Sequence, residues 1–264
     1  MKIKLVIALF TTLLVISTVF TSVSAQNFEE YKKELFVSSN DTLPYRILFP
    51  KDFDRSKSYP LILFLHGSGE RGNDNELQLK HGADFFLKDS IRENYPAVIV
   101  FPQCKTDMSW NNVKYDLSDP ETEFEFPKKH EENLHLSLTE GLINQLIEKF
   151  NLDTNRLYVG GLSMGGMGTF ELVNRNPRRF AAAIAICGGA HPNIARRIRR
   201  TSWWIFHGQD DDVVPLASSM QIFEALEKKN ADVKITIYPN VKHESWINTF
   251  AEPGLMSWLF SKNR

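Results

Sequence analysis

Seven short apolar runs recur along the chain, over residues 45–48, 61–65, 97–101, 157–160, 182–187, 203–206 and 234–238. Most are unbroken rather than alternating, which is the pattern of strands covered on both faces. Between them the period changes. Leu138, Leu142, Leu146 and Phe150 recur every four residues and are joined by Ile143 and Ile147, so one face of a helix is apolar just before the run at 157. Residues 167–176, 218–229 and 255–260 read as further helices. Strands alternating with amphipathic helices predict an α/β fold, a mostly parallel sheet with helices on both faces. Residues 105–132 fit no element. They carry Trp110, Tyr115, Phe124 and Phe126 among acidic residues and two prolines, Pro120 and Pro127. A loop of that length is usually functional or disordered, and its aromatics point to an ordered flap over a site.

The chain start follows a different rule. A short basic opening with Lys2 and Lys4 leads into a nearly uniform apolar run, and Val23-Ser24-Ala25 ends it in small residues. This is the pattern of a signal peptide cut after Ala25; an uncleaved anchor is the competing reading. The expectation is a signal peptide over 1–25, then one catalytic domain over 26–264, in a secreted or periplasmic protein with no stable membrane insertion after cleavage. Net charge is −1. The single basic cluster, Arg196-Arg197 with Arg199-Arg200, reads as a solvated helix face, so no nucleic-acid partner is expected. Oligomeric state is not legible. Cys104 and Cys187 are the only cysteines, too few for a disulfide scaffold and without zinc-site spacing.

The chemistry centres on Gly161-Leu162-Ser163-Met164-Gly165, a G-x-S-x-G match between a strand run and a helix. That context is the one a nucleophile elbow needs. The turn must be sharp enough to strain the serine backbone and push Oγ off the sheet, and the glycines two before and two after permit close backbone approach. The first N–H of the following helix, that of Met164, then points at a reacting carbonyl and is a candidate oxyanion donor. A Gly-rich turn with an incidental serine is the plain alternative.

A serine nucleophile needs a base and an acid to orient it, in the order acid then histidine, each in a loop after a strand. After the run at 203–206 stand Asp210, Asp211 and Asp212, and after that at 234–238 stands His243, the only histidine beyond them. One aspartate orients the histidine, and spacing alone does not choose among the three. The loop after the run at 61–65, His66-Gly67-Ser68-Gly69-Glu70-Arg71-Gly72, suits the second oxyanion donor, with Ser68 N–H chosen. Gly67 and Gly69 let this backbone come close to substrate. His66 and His207 read as structural, and Glu70-Arg71 as an ion pair fixing the loop or a substrate contact.

On these residues, together with Pro102-Gln103-Cys104 and the two late loops, the chain from about Leu43 to Phe260 resembles the esterase branch of the α/β-hydrolases. That branch includes feruloyl-type and acetyl-type esterases, dienelactone-hydrolase-like proteins and prolyl-oligopeptidase-like peptidases. The resemblance implies an α/β-hydrolase fold and a serine esterase with no metal or organic cofactor. It implies Asp211 as the acid, fourth after the histidine of a His-Gly-x-x-Asp-x-x-Val-Pro loop, and Trp110 as a residue near the acyl or alcohol pocket. A small-molecule or oligosaccharide ester is the implied substrate. A peptidase, or a non-catalytic binding protein on the same fold, are the alternatives. The long stretch after Cys104 departs from the smallest members. The fold's usual strand order sets two strands between Cys104 and Cys187. At about 4.8 Å for each of the three steps from strand to strand that is roughly 14 Å, beyond the roughly 7 Å a disulfide spans, so both thiols are expected to be free.

Overall fold

A computed structural model describes residues 28–38, 41–115 and 124–264. The expected leader over 1–25 lies outside them, as does Pro120. The described residues hold eight strands: β1 (Lys32–Val37), β2 (Thr42–Leu48), β3 (Leu61–Leu65), β4 (Val98–Pro102), β5 (Leu157–Leu162), β6 (Ala182–Ile186), β7 (Ser202–Gly208) and β8 (Val233–Tyr238). The helices are α1 (Ala83–Leu87), α2 (Asp89–Asn94), α3 (Leu134–Phe150), α4 (Met164–Arg175), α5 (Ala195–Ile198), α6 (Leu216–Glu227), α7 (Trp246–Phe250) and α8 (Leu255–Phe260). The strands form one sheet in the order β1-β2-β4-β3-β5-β6-β7-β8. β1 and β2 pair antiparallel, as do β2 and β4, and every other neighbour is parallel. No described helix is long and apolar enough to cross a membrane.

The unbroken apolar runs have the cause inferred from them. In β3, Leu61, Leu63 and Leu65 face a core shared with α3 and α4, whereas Ile62 and Phe64 face a second core shared with α1 and α8. Successive strand residues point to opposite faces, and both faces are covered. The four-residue period in α3 buries Leu138, Leu142, Leu146 and Phe150. Asn133 caps that helix by accepting the Leu136 N–H at 3.0 Å, the role a short amide side chain plays at a helix start. Three of the elements that escaped the pattern have a plain reason. β1 is an edge strand whose residues alternate between exposed and half-buried, and α1 and α2 are too short to show a helical period.

Cys104 and Cys187 are both buried and free. Cys104 follows β4 and Cys187 follows β6, with β3 and β5 between them.

The stretch 105–132 is ordered where it is described. Lys114 and Glu125 form an antiparallel bridge, beyond which Tyr115 stacks on Phe124 at 5.0 Å and Phe124 on Phe126 at 6.2 Å. Its base is pinned to α4: Asn111 Nδ2 donates to the Met164 carbonyl at 3.1 Å, and the Asn112 N–H donates to Glu171 Oε1 at 2.8 Å. Burial pushes the Glu171 carboxyl up to about 7, against the Asn112 hydrogen bond and with Glu131 adding to the rise. An acid whose pKa is raised on folding binds its proton more tightly when folded, so stability falls as pH climbs from the unfolded value near 4.3 through about 7. Glu171→Gln keeps the acceptor for Asn112 and removes the charge. Thermal melts near pH 5 and near pH 8 should show a variant about 2–4 °C or more above wild type at the higher pH, with the gap closing at the lower. Parallel melting curves would contradict this account.

Candidate active site

The head of β5 is built around a strained serine. Ser163 has φ 52° and ψ −118°, a region that side-chain-bearing residues occupy only when the surroundings impose it. Here its N–H donates to the Ile186 carbonyl at 2.9 Å and α4 begins at the next residue. Gly161 and Gly165 make the turn feasible. A Cβ on Gly161 would lie 2.4 Å from the Gly165 carbonyl oxygen, and one on Gly165 would lie 2.0 Å from that of Leu65. As the first residue of α4, Met164 has an N–H with no intrahelical acceptor.

The loops after β7 and β8 bring the other two side chains in. His243 Nδ1 lies 2.9 and 3.0 Å from the Asp211 carboxylate oxygens, and its Nε2 lies 3.0 Å from Ser163 Oγ. The carboxylate can only accept, so Nδ1 carries the proton and Nε2 is free to take one from the serine hydroxyl. Ser163 and His243 are half-buried, while the Asp211 side chain is fully buried. Burial alone would raise the Asp211 carboxyl. Hydrogen bonds from His207 and His243 and from the Val213 N–H outweigh it and hold the group well below the usual carboxylate range. Asp210 and Asp212 are exposed, and Asp212 pairs with Lys242 at 2.6 Å.

His207, read from the sequence as structural, supports this line directly. Its Nε2 sits 3.2 Å from Asp211 Oδ2 and 2.9 Å from the Val214 carbonyl, both acceptors, so Nε2 donates. Its Nδ1 lies 2.7 Å from Ser219 Oγ. Asp211 is thus held between two imidazoles. The signal was its place four residues before Asp211, but nothing in the sequence says that it faces the carboxylate.

The loop after β3 lies beside the serine turn. A Cβ on Gly67 would meet the Leu162 side chain at 2.8 Å, and Ser68 opens the short 3₁₀ turn Ser68–Glu70. His66 fixes this loop. Its Nε2 accepts the Cys104 N–H at 2.9 Å, so its Nδ1–H donates to the Gly67 carbonyl at 2.6 Å. Burial pulls His66 down to about 4, which keeps it in the neutral form this pairing needs. Glu70 and Arg71 do not pair with each other. Arg71 donates to the Ser68 and Met108 carbonyls, and the buried Glu70 carboxylate faces His81 at 3.5 Å and Lys80 at 3.8 Å.

Trp110, expected to face substrate, is 0% exposed. Its indole packs edge-on to His66 at 5.3 Å and to His135 at 5.8 Å, and a Cβ on Gly168 of α4 would touch its Cβ at 2.5 Å. It is a core residue that anchors the long loop. Cys187 Sγ lies within 4.8 Å of ligand atoms of Asp211 and His243. Burial pushes its thiol up, and the other two groups are already engaged with each other.

A serine on a strained turn after a central parallel strand, with acid and histidine on the loops of two later strands, defines an α/β-hydrolase. Residues 53–252 match the model of the phospholipase/carboxylesterase family, and the chain belongs to that family. A structure of a thermostable esterase superposes with a TM-score of 0.79 at 34% identity, covering 89% of this chain and 64% of that one. The feruloyl esterase module from Clostridium thermocellum superposes at 0.63 with 16% identity over 83% of each chain, a likeness of fold. The bifunctional acetylxylan esterase/xylanase of Neocallimastix patriciarum is 26% identical over 59% of this chain, which spans only 20% of that protein.

Proposed function

We propose that the protein is an exported serine hydrolase of carboxylic esters, acting on acetyl or feruloyl esters of plant polysaccharides. Ser163 Oγ attacks the ester carbonyl while His243 Nε2 takes its proton, and the same imidazole then protonates the departing alcohol. Asp211 holds the tautomer and stabilises the imidazolium. The Met164 and Ser68 N–H groups stabilise the oxyanion, each worth roughly 3 kcal/mol in such sites. Water, activated by His243, releases the acid. The observation that carries this reading is the continuous line from Ser163 Oγ through His243 to the Asp211 carboxylate, with contacts of 2.9–3.0 Å. Family membership supports the reaction class, and the esterase relatives support the substrate class. Residues 1–25 supply the export signal.

The test has two arms. A fluorophosphonate should label the protein at Ser163 alone, as read by peptide mass spectrometry. A panel of p-nitrophenyl acyl esters beside acetylated and feruloylated xylo-oligosaccharides should then show turnover of at least one polysaccharide-derived ester. Labelling without turnover of any ester would refute the esterase reading.

A further inference from the structure

A cavity of about 730 Å³ opens at the end of the molecule remote from Ser163. Ser163 caps the start of α4, whereas the cavity surrounds Arg175 at that helix's last turn. At a rise of about 1.5 Å per residue the two sites are roughly 18 Å apart along the axis. Six arginines line the cavity: Arg175, Arg178, Arg179, Arg197, Arg200 and Arg264. They come from the end of α4 and the turn after it, from α5 and the turn after it, and from the last residue of the sequence. The basic cluster at 196–200 is solvated, as its sequence pattern implies, with all four arginines exposed. Arg197 and Arg200 turn toward a shared concavity.

Half of the set is held in place. Arg175 Nε pairs with Glu140 at 2.5 Å while its Nη2 donates to Ser137 Oγ. Arg197 Nε donates to the Asn174 carbonyl, and Arg179 Nη2 to Asn144 Oδ1. Arg178, Arg200 and Arg264 make no side-chain hydrogen bond or ion pair among the described residues, so three guanidiniums present unused donors. Among the described residues, Glu140 is the one acidic side chain paired with the set. Positive charge is in clear excess. Burial pulls the Arg179 guanidinium below its ordinary value and the neighbouring Arg264 adds to that, against Glu140. Six cations are crowded here against the single counter-charge of Glu140. The walls also include Ile147, Leu157 and Pro177, so part of the lining is apolar.

We propose that this cavity binds a polycarboxylate built on a body with apolar faces, such as a short chain of uronic acids. Planar guanidiniums match carboxylates through paired N–H donors, and the apolar wall contacts the carbon face of a ring between successive charges. A ligand that was charge alone would leave that wall unused. The inference is independent of the esterase reading, because it concerns binding at the other end of α4.

Isothermal titration of the full chain at physiological salt tests it, with trigalacturonate as probe and neutral galactotriose and tripolyphosphate as controls. Trigalacturonate should bind, galactotriose should not, and tripolyphosphate should bind at least fivefold more weakly. The double variant Arg178→Gln/Arg200→Gln changes two side chains without internal partners. It should melt as wild type does, keep the wild-type rate on p-nitrophenyl acetate and bind trigalacturonate at least tenfold more weakly. The proposal is overturned if trigalacturonate does not bind the wild type, if tripolyphosphate binds as tightly, or if the folded double variant binds trigalacturonate unchanged.

Discussion

Ser163→Ala is expected to lower kcat/KM on every ester by about 10⁴-fold or more, and His243→Ala to do the same. The double variant should lose little beyond either single one, because the two groups act as a unit. Asp211→Asn should cost on the order of 10⁴-fold, since an amide presents the wrong hydrogen-bond partner to His243 Nδ1. Asp210→Asn and Asp212→Asn should stay within a few-fold of wild type, because both side chains point to solvent. Steady-state kinetics on one soluble ester decides all six, and a severe Asp210→Asn would mean that the wrong carboxylate has been assigned. A stability measurement adds an independent check. Ser163 holds a positive φ of 52°, which glycine adopts without steric cost. Ser163→Gly should therefore be inactive and yet at least as stable as Ser163→Ala to denaturant.

Trp110→Ala should be the most destabilising change in the long loop. Removing a fully buried indole costs about 3–5 kcal/mol, a melting temperature lower by roughly 10 °C. Because the ring packs on His66, which fixes the Gly67 loop, activity should fall by a similar factor on small and large esters alike. Comparing kcat/KM for p-nitrophenyl acetate and a feruloylated sugar on this variant, alongside its melting temperature, separates packing from substrate contact. A loss confined to the large ester, with an unchanged melt, would restore Trp110 to the binding surface.

Patterns with a local physical cause were legible in the sequence. The doubly covered strands were visible because apolar runs have no other use at that length, and the serine turn because its glycines answer a steric demand within five residues. The order of acid and histidine followed from the sheet, although choosing Asp211 over its neighbours needed the family resemblance. What stayed hidden depends on contacts between distant segments. Trp110 looked like a flap residue because its covering partners, His66 and His135, come from the β3 loop and the start of α3. Glu70 and Arg71 looked paired because they adjoin in sequence, yet each is drawn to a different segment. Six arginines in separate stretches gave no hint of one cavity.

The order of strands also governs how this chain reaches its native state. β3 sits between β4 and β5, so Leu61 must find both Val98 and Leu157. Apart from the β1–β2 pair, no two strands can form a hairpin. The sheet centre therefore closes only through long-range parallel pairings, which pay loop-closure entropy before any contact rewards it. Until β5 arrives, the uninterrupted apolar strands β3 and β4 have one open edge and no helix α4 to cover them. Such species associate readily at high concentration. Recovery from denaturant should accordingly be slow and best in dilute solution, with hydrolytic competence appearing only once β5 has docked beside β3.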